Sequence, residues 1–367
     1  MFVHTHVHTD GSLQDGLSTV EEIIIKAAKD GQKAVAITDH GNMFRETKAH
    51  KLGAKYGVKV ISGCELYLSR GKKGEKVPRP YHLIALAKDE IGYKNLIKLV
   101  SLGHRQFYYR PQIYWEDLEQ YHQGLIFQSA CLAGTEAQLI LNGQRDEAKK
   151  EALKRDELFG RGNYYLELQD HGIREQKIVN RELIEISKAT GIPVVATNDS
   201  HYTEKDQAEL HRILLCLQWG ITLDEYSTRA EEVFSNEHYF KTSSEMKMLF
   251  SEIPEAIKNT VEIAEKCNFK MKFGELHLPE FPVPEGISLH EYFIQEVNKG
   301  LKRRFGSNPE NEVRERTSYE VKVIEQMGYE AYFLIVSDFI NWAKRNDIPV
   351  GPGRGSAASS IVSYTLG

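Results

Sequence analysis

The first fifteen residues, Met1 to Asp15, read MFVHTHVHTDGSLQD. They place His4, His6 and His8 at alternate positions, and a turn-like Asp-Gly-Ser then leads to the carboxylate of Asp15. Side chains alternate between the two faces of a β-strand, so a strand here would present all three imidazoles on one face. Imidazoles at this spacing can converge on a divalent cation, with Asp15 returning from the following loop. Taken alone, the stretch is equally compatible with a His-rich edge strand or the remnant of a purification tag.

The composition indicates a globular chain of more than one domain. The length of 367 residues exceeds one ordinary domain, and 41% hydrophobic with 27% charged residues is typical of soluble proteins. The sequence has no apolar run of transmembrane length and no signal-peptide pattern, so we expect a cytoplasmic protein that does not contact a membrane. Its 4 cysteines are scattered, which suits a reducing compartment. The net charge of −5 gives no overall attraction to nucleic acid, so DNA would have to bind at local basic patches or through metal.

Strand-like and helix-like segments alternate from this stretch to about residue 205. Apolar runs such as AVAIT, KVISGCELYL and LIFQSA read as strands, and amphipathic helical patterns separate most of them. The alternation predicts βαβ units and a mostly parallel sheet, and six or seven such units predict a barrel-like arrangement. In such barrels the reactive side chains lie at the carboxyl ends of the strands.

Nine potential metal ligands fall at or near equivalent points of these units. Each has an ordinary explanation when taken singly, because a buried histidine or cysteine usually only packs and an aspartate after a strand often caps a turn. Together, their imidazole, carboxylate and thiolate groups favour Zn²⁺ or Mn²⁺ over Mg²⁺. Nine ligands are too many for one tetrahedral ion, which predicts a cluster of two or three ions. The set is His6, His8, Asp15, His40, Glu65, His82, Cys131, Asp199 and His201.

The pattern changes after the barrel-like part. It becomes mainly helical, and Pro279, Pro282 and Pro284 then crowd a short segment that can continue neither a helix nor a central strand. Beyond it, amphipathic helical stretches lead to GPGRGSAASS, whose glycines permit a nest of backbone amides for a phosphate group. The predicted domains are residues 1–280, with a barrel over about 1–205 and a helical extension over 206–280, and residues 281–367.

Many of these stretches resemble a known family, the polymerase and histidinol phosphatase (PHP) domain. The similar motifs are FVHTHVHTDGSLQDG, AITDHGN, GCELY, YHLIALAKDEIGYKNLIKLVS, SACLAG, YYLELQDHG and ATNDSHY. More narrowly, FYYRPQI, HLPEFPVPEG and the glycine-rich C-terminal part resemble bacterial C-family replicative DNA polymerases, and this similarity is collinear over the whole chain. The resemblance implies a distorted (β/α)7 barrel that holds two or three divalent metals, Zn²⁺ or Mn²⁺, on the nine residues above. A mainly helical segment would then open the polymerase palm.

The resemblance also implies an activity. It would be metal-dependent phosphodiester hydrolysis, a 3′–5′ exonuclease that proofreads a DNA primer end, with other replisome subunits as partners of the parent protein. The polymerase centre would be incomplete in this chain, because the catalytic aspartates of such polymerases lie further on. The palm-like loop would bind the triphosphate of a nucleotide through Gly353, Arg354, Gly355 and Ser356.

Two alternatives remain open. A stand-alone PHP small-molecule phosphatase would need neither the proline segment nor the palm-like tail. A non-catalytic platform for the polymerase would not need the complete ligand set.

Overall fold

The computed structural model describes residues 1–229, 235–275, 277–351, 353 and 355–367, without the side chains of 227–229. These residues form two compact units, Met1–Met271 and Lys272–Gly367. Arg354, which is predicted to contact a nucleotide, lies outside the described residues. No helix in the described part of the chain combines the length and the apolar character needed to cross a membrane.

The first unit contains a seven-stranded sheet that curls into a half-barrel. Its strands are β1 (Ala34–Ile37), β2 (Lys59–Leu68), β3 (Tyr81–Ala87), β4 (Gln112–Ile113), β5 (Leu125–Gln128), β6 (Tyr164–Leu168) and β7 (Val194–Ala196). The order of neighbours is β1-β2-β3-β5-β6-β7, and β4 pairs with β2. Most pairs are parallel, as the sequence predicts, but β3 runs antiparallel to both β2 and β5. The α/β fold class is confirmed.

Helices surround the strands, whose residues are almost all buried, as in parallel sheets that are covered on both faces. Leu96 and Leu99 share one apolar core with Leu83 and Leu125. The helices of this unit are α1 (Val20–Lys29), α2 (Glu46–Tyr56), α3 (Glu90–Arg105), α4 (Trp115–Tyr121), α5 (Thr135–Leu141), α6 (Arg145–Phe159), α7 (Arg174–Thr190), α8 (Ala208–Trp219), α9 (Leu223–Arg229), α10 (Ser243–Leu249) and α11 (Pro254–Lys266). A 3₁₀ helix covers Lys205–Gln207.

Local capping fixes where the site-bearing segments enter their helices. At the start of α1, Thr19 accepts the backbone N–H of Glu22, and the Glu22 carboxylate accepts that of Thr19 at 2.7 Å. This capping box satisfies backbone donors that the first helical turn leaves without partners. It therefore sets the end of the loop that carries Asp15.

The N-terminal segment, residues 4–8, joins the two edges of the sheet. The carbonyl of Val7 accepts the N–H of Thr38, next to β1, at 2.9 Å. On the other side, the N–H of His8 donates to the carbonyl of Ser200, just beyond β7, at 2.8 Å. The segment forms isolated bridges and no continuous strand.

The prediction that His4, His6 and His8 share one face is wrong for His4. Its Nε2 lies 2.8 Å from the carbonyl oxygen of Lys241, and its ring lies against Phe240 with centroids 4.0 Å apart. Isolated bridges do not hold the backbone to a regular pleat, so the strict alternation of a strand does not apply. His6 and His8 do converge, with their Nε2 atoms 3.1 Å apart.

The second unit is helical. It contains α12 (Leu289–Phe305), α13 (Asn311–Met327), α14 (Glu330–Arg345) and α15 (Ile361–Leu366), with a 3₁₀ helix over Gly355–Ser359. Phe293, Ile324 and Leu334 form its apolar core together with Val362. The predicted phosphate loop GPGRGSAASS contains this 3₁₀ helix, and Gly353 has a φ of +124°, a conformation that favours glycine.

Candidate metal centre

The nine predicted ligands lie in the first unit and converge at one end of its sheet. His40, Cys131 and Asp199 follow the carboxyl ends of the parallel strands β1, β5 and β7. His82 lies near the start of β3, and because β3 is antiparallel to its neighbours, its amino end meets their carboxyl ends. Reversal of one strand therefore brings a residue from early in β3 to the same place.

Glu65 is the centre of this group and is 1% exposed. Its Oε1 lies 2.7 Å from Nδ1 of His82 and 3.7 Å from Nε2 of His6. Its Oε2 lies 2.7 Å from Nδ1 of His40 and 3.3 Å from Nε2 of His8. One carboxylate thus contacts imidazoles from three separate parts of the chain.

The other carboxylates lie around the same histidines. Oδ1 of Asp199 is 3.2 Å from Nε2 of both His6 and His8. Oδ2 of Asp15 is 3.3 Å from Nε2 of His40.

Cys131 and His201 complete the group. The Cys131 sulfur lies 3.7 Å from Nδ1 of His82. His201 stacks on His8 with ring centroids 4.4 Å apart, and its Nδ1 donates to the backbone carbonyl of Asp199 at 2.8 Å.

His6 and His8 are oriented by hydrogen bonds from the ring nitrogen that faces away from the cluster. His6 Nδ1 donates to Glu167 Oε1 at 2.6 Å. His8 Nδ1 donates to Ser12 Oγ at 2.9 Å, since the Ser12 hydroxyl itself donates to Asp39. Both bonds leave Nε2 as the nitrogen that faces the cluster, which is how metal-binding histidines are usually held.

The donor set fits divalent cations. Glu65 Oε2 and Asp199 Oδ1 are buried and have no hydrogen-bond partner within the described residues, although imidazole nitrogens lie close to both. Each of these oxygens thus lies within 3.3 Å of an imidazole nitrogen with which it forms no hydrogen bond. Buried carboxylates without donors are costly unless a cation compensates them. The geometry therefore favours ions shared among the side chains.

The electrostatics of the group also favour cations. Burial raises the pKa of Glu65, but His82 and His40 more than offset this and hold it well below its usual value. Burial lowers the pKa of His40, but Asp15, Tyr67 and Glu65 together more than offset this, and the pKa lies well above its usual value. Burial and the neighbouring His8 lower the pKa of His201 to about 4. The cluster thus keeps its carboxylates ionised and attracts positive charge.

The sequence analysis missed two residues of this region. Glu167 holds His6 and accepts further hydrogen bonds from Thr197 and, at 2.8 Å, from Gln169. It is the charged residue of the strand YYLEL, which the structure shows to be buried along its whole length. His238 forms a further group of potential ligand atoms with Asp199 and His201, and no motif pointed to it.

Comparisons with known proteins agree with this arrangement. Residues 4–171 match the family described as PHP domain, and residues 291–367 match the family described as bacterial DNA polymerase III alpha NTPase domain. The chain is 45% identical over 373 residues to a DNA polymerase III subunit alpha of Borreliella burgdorferi, with 100% of this chain and 32% of that protein covered. It is 44% identical over 372 residues to that of Treponema pallidum, with the same two coverages. The chain spans about a third of the length of these relatives.

A solved structure, an amidohydrolase from Chromobacterium violaceum, is similar at a TM-score of 0.37 and 14% identity, with 55% of this chain and 88% of that chain covered. The two family matches lie in separate parts of a chain that is similar over its whole length to these curated relatives. The chain therefore belongs to the bacterial DNA polymerase III alpha family and carries a PHP domain over residues 4–171.

Proposed function

We propose that the first unit is a metal-dependent phosphodiesterase that removes nucleotides from the 3′ end of a DNA primer. The observation that carries the proposal is the buried ligand cluster centred on Glu65, complete in a chain whose relatives are named as DNA polymerase subunits. A structural platform would have no need of buried ionised carboxylates, whose desolvation is costly.

The groups of potential ligands share residues, an arrangement that suits two or three neighbouring ions. When bound, such ions supply Lewis acidity toward a phosphate oxygen and lower the pKa of water. Mixed imidazole, carboxylate and thiolate donors suit Zn²⁺ or Mn²⁺. The overlapping groups are His6, His8 and Asp199; His40, Glu65 and His82; and His8, His40 and His201, with Asp15 and Cys131 beside them.

The remaining assignments rest on the family. We propose that DNA and other replisome subunits are partners of the parent protein and that it acts in the cytoplasm. We propose further that Gly353, Arg354, Gly355 and Ser356 bind nucleotide phosphate. The domain boundary at 280/281 is likewise a proposal, supported by the proline-rich segment.

Metal-loaded protein is expected to shorten a 5′-labelled oligonucleotide from its 3′ end. A mispaired terminus should be cut faster than a paired one, because a frayed end exposes its phosphodiester to the site. Mn²⁺ or Zn²⁺ should stimulate the reaction, and EDTA should abolish it. Denaturing gels of the product ladder measure both effects.

The control for contaminating nucleases is an Asp199→Ala variant purified in parallel, which should be inactive. Turnover of histidinol phosphate without any action on oligonucleotides would instead favour the small-molecule phosphatase. An inert but fully metal-loaded protein would favour the structural platform.

Glu167→Gln is expected to weaken metal binding about 10- to 100-fold, the usual effect of removing the partner of a ligating histidine. The amide can offer its nitrogen to His6 Nδ1, which leaves the ring free to turn away from the cluster. Titration of metal-stripped protein with Zn²⁺ and a chelating dye measures the change. Glu262→Gln, on a half-buried face of α11 away from the predicted ligands, is the matched control and should bind metal like the parent protein. Equal affinity in the two variants would remove Glu167 from the proposed site.

A further inference from the structure

An open pocket of about 430 Å³ lies directly beside the ligand cluster and shares His82 with it. Three arginines, Arg70, Arg79 and Arg110, line it, and none of the described residues in its wall is a carboxylate. Arg70 lies over the ring of Tyr81 at 4.2 Å, and Arg110 donates to Gln14 Oε1 at 2.6 Å. Within the described part of the chain, none of the three arginines is within ion-pair distance of a carboxylate. The pocket is therefore a concentration of uncompensated positive charge next to a cluster of ionised carboxylates.

Aromatic rings accompany these arginines. Tyr67 forms part of the pocket wall and packs edge-on against His82, with ring centroids 5.1 Å apart. Tyr109 lines the pocket with 73% of its surface exposed, which leaves its ring free to stack on a ligand. Basic groups interleaved with exposed aromatic rings are typical of sites for single-stranded nucleic acid, where phosphates contact the charges and bases stack on the rings.

Two of the residues that line the pocket have an unusual backbone conformation. Arg79 and Tyr109 both have a φ of +57°, which is uncommon for residues other than glycine. Ala130 and Asp199, at the ligand cluster, also have positive φ values. Such conformations persist where the surrounding structure enforces them, and they concentrate at functional sites. Residues with positive φ therefore occur both in the pocket and in the ligand cluster, which also have His82 in common.

We propose that this pocket binds the last nucleotides of a single DNA strand and directs its 3′-terminal phosphodiester to the ligand cluster. Arg79 and Arg110 contact the strand's phosphates, and Tyr109 stacks on a base. The volume lies within the range of about 300–1,000 Å³ usual for small-ligand sites, so it can take one nucleotide with its neighbours extending into solvent. The inference rests on the proposed function, whose substrate it specifies.

The test is binding of a 5′-fluorescein-labelled dT12 oligonucleotide, followed by fluorescence anisotropy with EDTA present so that nothing is hydrolysed. Arg79→Ala and Arg110→Ala should each raise the Kd about tenfold. Each should also lower the slope of log Kd against log salt concentration by about 0.7, the value for one phosphate contact to a single strand. Tyr109→Ala should raise the Kd about tenfold through lost stacking.

Arg161→Ala is the matched control. Arg161 is exposed and precedes β6, so it lies at the opposite end of that strand from the cluster. This variant should bind dT12 like the parent chain. Arg79 makes no hydrogen bond within the described residues, so its variant decides the question if Arg110→Ala, which loses the bond to Gln14, misfolds on a thermal melt.

Each outcome has a definite meaning. Unchanged Kd values in the pocket variants would overturn the proposal that the pocket binds DNA. An equal loss of dT12 affinity in Arg161→Ala would overturn it as well. Competition by inorganic phosphate as strong as that by unlabelled dT12 would also overturn it, since the site would then take a single anion. Weakened binding in the pocket variants of a protein without exonuclease activity would support the pocket while the proposed reaction fails. Exonuclease activity in the parent protein, together with unchanged dT12 binding in the pocket variants, would support the proposed reaction and overturn the pocket.

Discussion

Glu65→Gln is expected to remove most of the bound metal and all measurable hydrolysis. Glu65 contacts His6, His8, His40 and His82, which is more histidines than Asp15 or Asp199 contacts among the predicted ligands. The amide keeps the size of the carboxylate but loses its charge and one of its two acceptor oxygens. A neutral group there leaves the surrounding imidazoles without their central counter-charge.

The same substitution should lower the free energy of unfolding of the metal-free protein by about 3 kcal/mol, because one partner of a buried charged group has been removed. Elemental analysis of protein purified without chelator or affinity tag gives the metal content, and thermal melts give the stability. Glu185→Gln is the control, since Glu185 is 62% exposed and pairs with Lys188 at the surface. Full metal content in the Glu65 variant would show that the ions, if any, lie elsewhere.

Gly16→Ala should disable the proposed site without touching a ligand. A Cβ at Gly16 would lie 1.8 Å from the carbonyl oxygen of Thr9, a backbone atom. Thr9 cannot easily yield, because its N–H and hydroxyl both donate to the Asp39 carboxylate, each at 2.7 Å. The loop must therefore shift, and it carries Asp15. We expect a loss of about 3 kcal/mol in stability from overpacking and of about 100-fold in hydrolysis from the displaced ligand.

Thermal melts and exonuclease rates measure the two effects of Gly16→Ala. Gly351→Ala is the control, because a Cβ there would meet no atom of the described residues within 4 Å. Parent-like rates in the Gly16 variant would mean that the loop has room to relax and that Asp15 is dispensable.

Much of the first unit was predictable because its strands are short apolar runs that end in polar residues. AVAI and LIFQ are completely buried, and the helical patterns between most strands imply parallel crossovers. The reversal of β3 was not predicted. A signal for it existed, since residues 69–80 between β2 and β3 show no helical pattern, and a parallel connection requires a crossover.

The candidate site was predictable as a set of residue types and not as a geometry. The spacing of two residues was enough to predict that His6 and His8 lie close together. It could not show that the ring of His4 lies against Phe240, because the segment is held by two single bridges and is not a regular strand. The role of Glu167 could not be predicted from the sequence for another reason. An acidic residue in a strand reads as the solvent face of an alternation, and only the fold shows that its neighbour is an imidazole.

The bridging of the sheet edges by residues 4–8 has a consequence for synthesis. On the ribosome, His6 and His8 emerge early, whereas Asp199 and the carbonyl of Ser200 emerge only after almost two hundred further residues. A nascent chain that stops before β7 cannot join the edges of its sheet or complete the cluster. Closing so long a loop is also slow in folding, since its entropy must be lost before the contacts form. An incompletely translated chain is therefore expected to carry no complete cluster, and any hydrolytic activity would begin only when this last strand has folded.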